Sequence, residues 1–125
     1  MAEGRGGAVV AVALVVYLVA LLGCEVAEAA TYSVGGASGW TFNIASWPIG
    51  KNFKAGDIIV FNYNPAAHNV VSVDKRAYDS CTTPKGAKVY QSGRDRIILV
   101  KGQNCFICNF PGHCESRMKI AINAM

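Results

Sequence analysis

The stretch Cys108-Asn109-Phe110-Pro111-Gly112-His113-Cys114-Glu115-Ser116-Arg117-Met118 concentrates side chains able to bind a transition metal. Cys108, His113 and Met118 recur at five-residue intervals across a strand end, a Pro-Gly turn and the start of another strand. That spacing lets three side chains from one loop converge on a point. The other of the chain's two histidines, His68, follows its own strand and turn over Phe61 to Ala67. A thiolate, a thioether and two imidazoles mix soft and intermediate donors, a set that suits copper as both Cu(I) and Cu(II). Two imidazoles and a thiolate with a weak axial thioether form a one-electron copper site, with little rearrangement and a low barrier when the electron arrives. Zinc more often takes further Cys or His ligands, and Met serves it poorly.

Singly, each residue has an ordinary explanation. His68 reads as a loop histidine, and Met118 as a filler of core gaps. Cys105 and Cys108 read as a Cys-x-x-Cys redox pair, although that motif belongs near a βαβ pattern and this run is β-rich. Residues three apart on an extended strand face opposite sides, which disfavours a local bond between them. Taken together, the spacing favours copper. Four protein ligands leave no open position for a substrate or for oxygen. No Ser-His-Asp set, carboxylate pair or phosphate-binding glycine loop occurs elsewhere, so the chain does not read as an enzyme.

The elements that must position these residues are short β-runs punctuated by Gly, Pro, Asn and Asp. They are Thr31 to Val34, Asp57 to Tyr63, Asn69 to Val73, Ala87 to Tyr90, Arg96 to Val100, Cys105 to Phe110 and Met118 to Ala124. Asp74 to Pro84 is polar and loop-like, with one helical turn around Ala77 to Cys81, and Lys101 to Asn104 reads as a turn. Seven to eight strands and one short helical turn predict an all-β fold, a Greek-key β-sandwich.

The chain has 125 residues, 52% hydrophobic and 16% charged, with no low-complexity tract. Ala8 to Leu22 is an apolar run, short of the roughly 20 residues a membrane-spanning helix needs. With Arg5 before it and Ala27-Glu28-Ala29 after it, residues 1–29 read as a secretory signal peptide and residues 30–125 as the single domain. An uncleaved anchor and lipidation at Cys24 are the rival readings. After cleavage eleven Lys and Arg face five Asp and Glu, a net charge of +6, and four cysteines remain. So small a domain commonly needs a disulfide or a metal beside its core, and secretion permits the disulfide. The scattered cations carry no nucleic-acid signature. They suit an acidic redox protein or a cell-wall polyanion, or simply form a solvated face.

The segment Gly102 to Ser116 resembles the copper loop of the phytocyanins, a cupredoxin-like family of blue copper proteins. The resemblance extends through Ala30 to Gly36, Gly39 to Asn43, Trp47, Gly56-Asp57 and Met118 to Ala121, essentially all of residues 30–125. It implies one type 1 copper on His68, Cys108, His113 and Met118, a disulfide between Cys81 and Cys114, and His113 near the surface. It also implies an extracellular electron carrier with an unidentified redox partner; the chain itself is expected to be a monomer, free of the membrane after signal cleavage. A secreted basic binding or signalling module with incidental copper is the alternative, and a zinc- or disulfide-stabilised domain without redox role a weaker one. Two positions depart from the family pattern. Cys105 stands where relatives carry a non-thiol residue, leaving a thiol that is buried and inert or open to mispairing. Arg117 stands where a glycine is expected, at a cost if the position needs a positive φ.

Overall fold

The computed structural model describes residues 28–125. The leader reading over residues 1–29 therefore lies, but for its last two positions, outside the described residues. Among the described residues seven strands, one α-helix and a 3-10 turn (Gly36–Ser38, after β1) occur: β1 (Thr31–Ser33), β2 (Ile58–Asn62), β3 (Val70–Val73), α1 (Lys75–Ser80), β4 (Lys88–Tyr90), β5 (Arg94–Ile98), β6 (Gly102–Ile107) and β7 (Lys119–Ala124). They form a three-stranded sheet, β1-β2-β5, and a four-stranded sheet, β4-β3-β6-β7. β1 and β2 run parallel, and every other pairing is antiparallel.

Alternation sends Ile59 and Phe61 of β2 inward, where they meet Phe106 of β6 and Ile120 and Ile122 of β7. Trp40 and Phe106 pack against the Phe61 ring at centroid separations of 5.0 and 5.2 Å. The four-stranded sheet is covered on its other face too. There α1 and the residues after it lay Tyr78, Cys81 and Ala87 over Val71 and Ile107. Two covered faces explain why the end of β6, Cys105-Phe106-Ile107, reads as an unbroken apolar run. Asp74 caps α1, its side chain accepting from Ala77 N at 2.8 Å, and this extends the expected helical turn by two residues at its start.

Two strands depart from the sequence reading. β5 spans Arg94–Ile98 rather than Arg96 to Val100, because the carboxylate of Asp95, its second residue, points inward. Buried Asp95 accepts hydrogen bonds from the Tyr63 hydroxyl and from the Ser92 hydroxyl and backbone N–H, so its burial is compensated. Burial, and then the hydrogen bond to Asp95, hold the Tyr63 hydroxyl protonated well above its usual range. β6 starts at Gly102 and ends at Ile107, so the expected turn over Lys101 to Asn104 lies largely inside the ladder. Asn104 makes this possible by bonding the Val100 N–H and the Val100 and Gly102 carbonyls with its side chain. Past Ile107 the backbone leaves the sheet, and Cys108 N donates to Met118 O instead.

The disulfide joins Cys81, the left-handed residue that ends α1, to Cys114 in the loop between β6 and β7. It closes a loop of sequence separation 33. Replacing both cysteines with serine is expected to lower stability by about 4 kcal/mol in the chain-entropy model. Urea denaturation of the metal-free protein measures this, and a loss below about 1 kcal/mol would contradict it.

Candidate metal centre

The site lies at one end of the sandwich, where β2 hands over to β3 and β6 to β7. Asn64 shapes the first connection. Its side chain accepts from Ala66 N, and its carbonyl accepts from Ala67 N and His68 N at 2.9 and 3.0 Å. That Asx turn delivers His68 one residue before the buried Asn69. The second connection is wound tighter. His113 N donates to Phe110 O, Met118 N to His113 O, and Cys108 N to Met118 O, each within 3.1 Å. Three candidate ligands are thus linked through their own backbone.

The side chains meet. Nδ1 of His68 and Nδ1 of His113 face each other at 3.1 Å, and Cys108 Sγ lies 3.5 Å from Nδ1 of His113. All three donor atoms fall within 4.8 Å of one another. Cys108 is fully buried, and the two histidines are half-buried. Met118 is fully buried in the same cluster as Cys108 and is tied by backbone to both Cys108 and His113. The His68 pKa lies below its ordinary value, first because burial disfavours the charged ring and second because His113 is beside it. Two imidazoles and a sheltered thiol are donors that bind a transition metal, and their softness fits copper. His68, Cys108 and His113 would hold the ion, with Met118 completing the set.

Residues outside the expected ligand set hold the two connections together. Asn69 Nδ2 donates to Asn109 Oδ1 at 2.6 Å, and Asn69 Oδ1 accepts from Asn109 N at 3.0 Å. The Asn69 carbonyl accepts from the Trp40 indole at 2.9 Å. Each of these asparagines directly follows a candidate ligand, a repetition visible in the sequence. Phe42 and Phe110 flank His113 at ring separations of 4.8 and 5.6 Å, and the place of Phe42 carries no local sequence signal.

The two departures resolve physically. Cys105 is a buried free thiol whose pKa burial pushes up, which keeps it protonated and unreactive. Cys114 pairs with Cys81 and leaves Cys108 free, so no bond joins Cys105 to Cys108. Arg117 takes φ of +63°, the left-handed conformation in which glycine is at ease.

The plastocyanin-like domain family model matches residues 40–118. Basic blue protein of Arabidopsis thaliana is 57% identical over 129 residues, covering all of both chains. Among solved structures, cucumber basic protein, a blue copper protein, superposes with a TM-score of 0.76 at 66% identity, over 77% of this chain and all of its own. Spinach plantacyanin superposes with a TM-score of 0.70 at 54% identity, over the same shares. The fold is that of a blue copper protein, and the chain belongs to the phytocyanin family. Within that family it is similar to the plantacyanins, or basic blue proteins, and it is a one-copper protein.

Substituting Arg117→Gly relieves the left-handed backbone and is expected to stabilise the metal-free protein by about 1 kcal/mol. Equilibrium denaturation measures it; unchanged or lower stability would show that the arginine side chain offsets the strain.

Proposed function

We propose that the chain carries single electrons between extracellular partners through a copper ion held by His68, Cys108, His113 and Met118. The observation that supports this most is the convergence of three donors, from segments forty residues apart, within 4.8 Å of one another. Copper supplies a couple between Cu(I) and Cu(II). The protein supplies a frame that resists rearrangement: the disulfide beside His113, the backbone bonds among Cys108, His113 and Met118, and the asparagine bridge to the His68 connection. Cys108, fully buried, keeps its sulfur from water. His113 sits half-buried between two aromatic rings, between the core and the surface. A carrier of this kind needs no open ligand position and transforms no substrate.

Secretion rests on the leader pattern of residues 1–29 and on a disulfide suited to an oxidising compartment. Among the described residues no helix is long and apolar enough to cross a membrane.

The surface charge is more one-sided than the net charge suggests. Of the five carboxylates beyond residue 29, Asp57 accepts from two backbone N–H groups, Asp74 caps α1, Asp79 pairs with Lys75 and Asp95 is buried. Of these five, only Glu115 has no such partner. Ten other Lys and Arg have no ion pair among the described residues. An acidic redox protein or a cell-wall polyanion fits such a monomer, by steering more than by contact. The same charge favours a second reading, a secreted basic binding module.

Adding Cu(II) to the purified protein tests the first reading. An intense blue band that ascorbate bleaches, absent from a folded Cys108→Ser variant, is the expected result. A colourless wild-type protein would overturn electron transfer and favour the binding module.

A further inference from the structure

Phe42 belongs to no strand and to no ligand set, yet its ring touches both imidazoles. Its centroid lies 5.4 Å from that of His68 and 4.8 Å from that of His113, edge-on to both at 83° and 72°. The two histidine rings are 5.0 Å apart. Three rings thus form a triangle in which an imidazole turning about its Cβ–Cγ bond would sweep into a neighbour. Phe42 is 41% exposed, so its far side faces solvent.

The segment that presents this ring is pinned on both sides. Before it, Trp40 N donates to Asn62 O, and the Trp40 indole donates to Asn69 O. After it, Asn43 N donates to Ser116 O at 3.1 Å and Ile44 N to Arg117 O at 3.0 Å. Asn43 and Arg117, joined at this junction, both adopt left-handed backbone, with φ of +57° and +63°. Two non-glycine residues held there mark a conformation imposed by its surroundings, of the kind found at functional sites. The connection between β1 and β2, which contributes no ligand, is therefore fastened to the stretch between His113 and Met118, with Phe42 over the histidines.

We propose that Phe42 is a positioning residue of the copper centre: its ring holds the His68 and His113 imidazoles in their converging arrangement and keeps water from their outer side. The role rests on the reading that these histidines hold copper. Excluding water disfavours the more highly charged Cu(II), so the ring also raises the reduction potential.

Phe42→Ala and Phe42→Tyr, each studied metal-free and copper-loaded, provide the test. In the metal-free Ala variant, NMR relaxation is expected to show the two imidazoles losing their fixed orientation. With copper, EDTA is expected to remove the metal roughly tenfold faster, as the loss of two aromatic contacts implies, and the potential is expected to fall. The blue band persists, and Tyr, which keeps the ring, restores all three readouts. Wild-type ring order, removal rate and potential in the Ala variant would overturn the role. Should Ala fail to fold, Phe42→Leu keeps bulk without the ring, and the same three shifts support the role while their absence overturns it. A wild-type protein that stays colourless with Cu(II) would sink the copper reading, while the metal-free NMR comparison still decides whether Phe42 orders the rings.

Discussion

Two imidazole nitrogens and a thiol sulfur, from segments far apart in sequence, sit within 4.8 Å of one another at the end of a sandwich whose core is mostly apolar. Bringing such polar donors together removes water from each of them, and something must compensate. The protein's answer is to tie the backbones rather than the donors. Cys108, His113 and Met118 are held through main-chain bonds, and Asn69 and Asn109 join the connection that carries His68 to the one that carries Cys108. The donor atoms themselves remain available to a metal.

Much of the remaining structure serves that arrangement. α1 covers the outer face of the four-stranded sheet, and Cys81, which caps its end, anchors the disulfide that ends one residue past His113. Trp40 fills the core against Phe61, and its indole caps the carbonyl of Asn69. Gly35 and Gly39 make that placement possible. Both have positive φ, and a Cβ on Gly39 would lie 2.6 Å from the Asn62 carbonyl oxygen that Trp40 N must reach. Packing, turn chemistry and site geometry are therefore one problem.

The donor loop was legible because Cys108, His113 and Met118 lie within eleven residues and their chemistry is distinctive. Most strands were legible too, as apolar runs bounded by Gly, Pro and Asn. Where the reading slipped, a side chain had taken over a backbone's task. Asn104 bonds main-chain groups that would otherwise need a turn, so β6 runs through Gly102. Asp95 is an inward-facing charge that local pattern assigns to a loop, made tolerable by Tyr63 and Ser92. The Cys81–Cys114 bond came from resemblance and not from spacing. Phe42 was illegible for a plainer reason: its partners lie 26 and 71 positions away, and no local periodicity records such a contact.

On the proposed function, the convergence of donors seen without metal is the copper site itself. A crystal structure of the copper-loaded protein tests it most directly. Copper is expected among Cys108 Sγ, His68 Nδ1 and His113 Nδ1, with Met118 Sδ as a fourth and weaker donor and the ring triangle unmoved. Copper on other residues, or Cys108 drawn into a disulfide with Cys105, would contradict it.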